Sequence, residues 1–100
     1  MGLLDSLLLW REKRRRRQSL LSPFVGQYDR DSYRYYRNGR SVTIEAELMT
    51  GTVDRMLYRQ KNLKWDDNAE QLTSAECAEA YDAVCRHFRS RNLRWKEIEL

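Results

Sequence analysis

The sequence predicts an α+β fold: an antiparallel β-sheet of four to five strands, led by a hairpin and packed on one main C-terminal helix, with an extra basic amphipathic helix at the N-terminal end. Three observations carry this. Asn38-Gly39 stands between two runs of alternating side chains. That pair is the strongest short-range signal for a two-residue hairpin, because both turn residues need φ > 0. Thr73-Ser74-Ala75-Glu76 spells a capping box ahead of an apolar stripe. Apolar points then return at Leu93, Trp95, Ile98 and Leu100, as a closing strand requires.

A chain of 100 residues fits one domain with one small core. The sequence divides into a basic amphipathic segment, 1–22, and a single α+β domain, 23–100. The net charge is +4, yet residues 11–17 alone carry +5, so everything else sums to −1. The basicity belongs to a segment and not to a domain surface.

Taken in order, Leu3, Leu4, Leu7, Leu8 and Trp10 fall near one side of a helix, with Asp5 and Ser6 opposite. The apolar run is too short to span a bilayer, and its charge follows the apolar part, unlike a secretory signal. Three readings of residues 2–17 stay open. In the first, the leucines cap the core or a neighbouring subunit, and the arginines are solvated. In the second, Arg11, Lys13, Arg14, Arg15, Arg16 and Arg17 hold an anionic membrane surface beside the apolar residues. Met1-Gly2-Leu3-Leu4-Asp5-Ser6 also fits an N-myristoylation pattern. In the third, the arginines meet nucleic acid, though the run lacks interleaved aromatics and any recognisable binding motif.

Residues 18–32 read as a connector. Ser22-Pro23 stops the helix, Phe24 and Val25 touch the core, and Gly26 to Ser32 is polar and turn-like. The hairpin follows. Pairing Arg37 with Arg40, Tyr35 with Val42 and Tyr33 with Ile44 puts Tyr33, Tyr35, Val42, Ile44, Ala46 and Leu48 on one face. Arg34, Tyr36, Ser41, Thr43, Glu45 and Glu47 share the other face. Val53 to Arg59 reads as a third strand, Leu63 and Trp65 as a sheet extension or a pin for the next loop, and Asp66-Asp67-Asn68 as a solvated turn. The capped helix runs to about Ser90, with Cys77, Tyr81, Val84, Cys85 and Phe88 as its stripe. Asn92 closes it in the left-handed conformation. The Trp95-to-Ile98 spacing breaks strict alternation, which suggests a bulge or a frayed end.

Chemistry is sparse. Cys77 and Cys85 lie about 12 Å apart along the helix, beyond the reach of about 7 Å that a disulfide allows, so they read as buried thiols in a reducing compartment. Together with His87 they match no metal-ligand spacing. No nucleophile–base pair and no phosphate loop can be assembled, so the expectation is a non-enzymatic chain with no cofactor.

The order of features resembles a family of small bacterial immunity proteins, encoded with the toxins of contact-dependent growth inhibition and related polymorphic toxin systems. The residues that carry the likeness are the Tyr-rich strand, Asn38-Gly39-Arg40, Val42-Thr43-Ile44-Glu45 with Glu47, Leu63-Lys64-Trp65-Asp66, Leu72-Thr73 at the helix start, and Glu97-Ile98-Glu99. They span about residues 33–99. Ala46 stands where the pattern has a glycine, and the basic extension has no counterpart in it. The resemblance implies a cytoplasmic protein that occludes a cognate toxin domain by stoichiometric binding. Its contacts would come from the exposed strand face (Arg34, Tyr36, Thr43, Glu45, Glu47) and the Trp65-Asp66-Asp67 loop. The plain alternative is that Tyr36 and Trp65 complete the core and that Glu45 is an ordinary cross-strand partner.

Overall fold

The computed structural model describes residues 3–100, with side chains from Ser6 onward. The acyl-acceptor pattern at Met1-Gly2 lies outside the described residues. The elements are α1 (Leu3–Gln18), β1 (Phe24–Asp29), β2 (Ser32–Arg37), β3 (Arg40–Leu48), β4 (Arg55–Arg59), α2 (Ser74–Ser90) and β5 (Trp95–Glu99). The α+β class is as expected. Five strands form one sheet in sequence order, β1-β2-β3-β4-β5.

The hairpin takes the expected register, with Arg37 opposite Arg40, Tyr35 opposite Val42 and Tyr33 opposite Ile44. Asn38 and Gly39 both sit at positive φ, 50° and 80°. The face carrying Tyr33, Tyr35, Val42, Ile44 and Ala46 is buried. Leu48, expected with them, is exposed, because it lies at the strand end beyond the cover of α2.

The helix α2 begins and ends where the sequence placed it. The Thr73 hydroxyl accepts from the Glu76 amide at 3.1 Å, and the Glu76 carboxylate accepts from the Thr73 amide at 2.8 Å. These bonds satisfy amides that a helix start otherwise leaves open. Asn92 closes the far end at φ 56°. Tyr81, Val84, Cys85 and Phe88 are buried against the sheet, with Ala80 beside them. Phe88 meets Tyr33 edge-on at 5.2 Å. His87 is half-buried and packs its ring on Tyr33. Both cysteines are free.

Four local expectations are corrected. Gly26 to Ser32 is not a turn-like connector: Phe24–Asp29 is strand β1, paired antiparallel with β2 from Phe24–Tyr36 to Gln27–Tyr33. Its alternation is masked because one side faces a charged helix. The third strand starts at Arg55 and not Val53. The last strand joins parallel to β4, so the sheet is mixed. The crossover through α2 returns the chain to the end where β4 began, and that makes the pair parallel. Finally, β5 has no bulge: it pairs regularly from Trp95–Arg55 to Glu99–Arg59. Ile98 breaks the apolar alternation because it sits on the outer face, where it is 40% exposed.

Candidate interaction surfaces

The outer face of the sheet, away from α2, divides into two halves. Over β1 and β2 lies α1, and it docks by polar groups. Arg11, Glu12, Arg15 and Ser19 fall on one helical stripe and are the least exposed of their stretch. The Glu12 carboxylate accepts from Arg34 Nη1 at 2.9 Å and from the Tyr36 hydroxyl at 2.8 Å. The Arg15 guanidinium donates to the Gln27 carbonyl at 3.0 Å. It lies so close to Gly26 that a Cβ there would stand 2.9 Å from Arg15 Cζ. A larger residue would displace the Arg15 guanidinium from this position. The Ser19 hydroxyl accepts from the Gly39 amide at 2.9 Å and ties the helix end to the hairpin turn.

Beside this dock, the segment after Leu63 wraps the open edge at the start of β3. The Asp66 amide donates to the Ser41 carbonyl at 2.9 Å. The Asp66 carboxylate accepts from the Ser41 hydroxyl at 2.8 Å and the Thr43 hydroxyl at 3.0 Å. It also lies 3.4 Å from Arg34 Nε. Asp67 turns the other way and pairs with Arg40 at 3.1 Å. The two adjacent carboxylates thus serve different partners and do not converge.

Arg34 is the centre of this network. Burial alone would lower its pKa, but Asp66 and Glu12 outweigh that and hold it above its ordinary value. Burial pushes the Tyr36 phenol up, and the Glu12 carboxylate adds to that. Both groups keep one protonation state through the neutral range, so the network is a fixed clamp and not a proton relay.

The predicted contact residues therefore separate. Tyr36 has no exposed surface and Trp65 keeps 4%, so neither belongs to a free face. Tyr36 is covered by α1 and stacks on Phe24 at 4.9 Å. Trp65 faces the core, with Arg40 over its ring at 4.3 Å. Arg34, Thr43 and Asp66 are engaged with one another. Glu45 and Glu47 remain exposed. Glu45 pairs across the ladder with Ser32 and not with an arginine.

The open half of the outer face, over β3 to β5, contains residues the sequence did not single out. Glu47 accepts from the Tyr58 hydroxyl at 2.8 Å, and Asp31, Glu45, Glu47 and Tyr58 line one shallow recess. Met56, Lys96 and Ile98 continue the same face by register. The sequence signal for Tyr58 was available: it alternates with core Leu57, so it must face outward. Glu12 was legible too, as the one carboxylate within a basic run.

The basic residues separate likewise. Arg15 is committed to the sheet, and Arg11 reaches the Tyr28 carbonyl at 3.5 Å. Lys13, Arg14, Arg16 and Arg17 are exposed. Ahead of them Leu7, Leu8, Leu9 and Trp10 are all exposed, which corrects the expectation of a helix with one apolar side. No helix among the described residues is long and apolar enough to cross a membrane. No protein-family model, curated protein or solved structure matches the chain.

Proposed function

We propose that this chain is a non-enzymatic binding protein of the immunity type, which neutralises a cognate bacterial toxin domain by one-to-one binding in the cytoplasm. The observation that supports it best is the open half of the outer face. There Glu45, Glu47 and Asp31 stand beside Tyr58 on a sheet backed by the core. A rigid acidic surface with an aromatic at its centre suits a basic partner surface: charges steer the encounter and the aromatic supplies a desolvated anchor. This moves the proposed contacts from Arg34, Tyr36, Thr43, Trp65 and Asp66, which the fold uses internally, to Glu45, Glu47, Tyr58 and their neighbours. Asp67 stays reachable at the rim, half engaged by Arg40.

The test is capture from nuclease-treated host lysate under a high-salt wash, followed by co-expression. The expected outcome is one defined partner, bound one to one, whose toxicity to the cell is lost when this chain is present. Glu45→Lys with Glu47→Lys should abolish capture and protection while leaving the melting temperature within a few degrees. Capture unaffected by that pair of charge reversals contradicts the surface assignment. A second reading, attachment to an anionic surface through α1, is favoured by the exposure of Leu7 to Trp10 beside the free arginines.

A further inference from the structure

Leu7, Leu8, Leu9 and Trp10 are 55%, 43%, 58% and 57% exposed. Four consecutive helical residues, at about 100° each, go most of the way round the axis. This section is therefore apolar on every side. The next turns are basic on every side but one, since only Arg11, Glu12 and Arg15 face the sheet. The helix is segregated along its axis and not around it. A helix that lies flat on a membrane needs the opposite, an apolar face along its whole length. One that is apolar all round is built to be surrounded.

The surroundings of α1 fit that demand. Its hydrogen bonds to the sheet begin at Arg11, which reaches Tyr28 near the β1–β2 turn, and Leu8 and Leu9 border the same recess as Tyr28 and Asp29. The section before Arg11, from Leu3 to Trp10, is about 12 Å long, most of the roughly 15 Å depth of one hydrocarbon leaflet, and Asp5 is its one charged residue. Asp29, Arg30 and Asp31 form the adjacent turn, and these charged groups limit entry to the residues before Arg11. Side chains on a helix lean toward its N-terminus. Lys13, Arg14, Arg16 and Arg17 therefore lean toward the apolar section, and the Arg14 guanidinium lies 5.6 Å from the Trp10 ring centre. Tryptophan beside arginine is the chemistry of the membrane–water boundary. The one acidic residue of the collar, Glu12, is turned away and held by Arg34.

We propose that α1 enters an anionic phospholipid bilayer end-on, with Leu7 to Trp10 among the acyl chains and the exposed arginines at the phosphates. This rests on the anionic-surface reading. It adds the orientation, which holds the domain off the membrane.

Ser6 and Arg17 are both exposed and lie on the same side of the helix, three turns and about 16 Å apart. They discriminate end-on from in-plane binding. Full-length Trp10→Phe protein is given a single reporter, Ser6→Trp or Arg17→Trp. Trp65 and Trp95 contribute the same background to both. Vesicles are phosphatidylcholine with and without phosphatidylserine, carrying bromine on the acyl chain. End-on entry predicts strong quenching for Ser6→Trp and little for Arg17→Trp, on anionic vesicles alone. Lys13→Ala, Arg14→Ala and Arg16→Ala should each weaken binding about fivefold. Equal quenching at both positions overturns the orientation and leaves the anionic-surface reading standing. No binding, or equal binding to neutral vesicles, overturns both. Self-association of the full chain that Leu7→Ser with Leu9→Ser abolishes, without vesicle binding, would also overturn both and make the occupant a second copy.

Discussion

The two helices lie on opposite faces of one sheet and hold it by opposite means. α2 buries Tyr81, Val84, Cys85 and Phe88, and its first turn is closed by a reciprocal cap. α1 leaves its leucines outside and docks through Glu12, Arg15 and Ser19. For α2 the apolar stripe tells where the helix goes. For α1 the apolar residues mark what the domain does not use, and the docking face is found by asking which polar groups have partners. A charge can replace an apolar contact at such a dock because it is paired and hydrogen-bonded on arrival, which offsets its desolvation.

The sharpest way to break this contrast is to cut one anchor on each side. Phe88 has no exposed surface, so Phe88→Ala should cost about 3–5 kcal/mol and lower stability of the whole domain in urea. Glu12→Ala removes one acceptor from Arg34 and the acceptor of the Tyr36 hydroxyl, while Asp66 and Thr43 still serve Arg34. The expected cost is about 1–3 kcal/mol, concentrated in α1, and protease should then cut within 11–21 before the core opens. Thr73→Ala removes one half of the capping box and should cost about 1 kcal/mol, read from the urea midpoint. Leu7→Ser and Leu9→Ser touch exposed side chains and should change stability by less than about 0.5 kcal/mol.

Acid sharpens the same comparison. Burial, with Arg91 nearby, holds His87 below its ordinary 6.5. As pH falls the unfolded chain takes up this proton first, so the stability that depends on neutral His87 is whole above 6.5 and is lost below it. His87→Gln should flatten urea midpoints across that range. Elsewhere, the Ser32 hydroxyl holds Asp29 below 3.8, and Arg40 does the same for Asp67. Their contributions are present above 3.8 and decline only as pH falls further. Mild acid should therefore loosen α2 before it touches the Asp29 and Asp67 contacts.

Legibility followed the same division. The hairpin register and the limits of α2 were readable because their rules are local: two turn residues, one cap and one stripe. Strand β1 was hidden because Gly26, Gln27 and Tyr28 carry no apolar alternation, and the preceding helix α1 covers it through polar groups. The parallel joining of β5 depends on where a crossover lands, which no local signal records. In the candidate surface, Glu45 and Glu47 were placed correctly on the outer face. Tyr36 and Trp65 were not free, since their cover comes from α1 and from the turn of the chain after Leu63.

Polar pairing, and not the leucines, holds α1 to the sheet. Native-state amide exchange across α1 tests it most directly, in the parent protein, in Glu12→Ala, and in Leu8→Ser with Leu9→Ser. Protection is expected over 11–18 in the parent and in the leucine variant, and its loss in Glu12→Ala with α2 still protected. Protection that survives Glu12→Ala but vanishes with the leucines would contradict it.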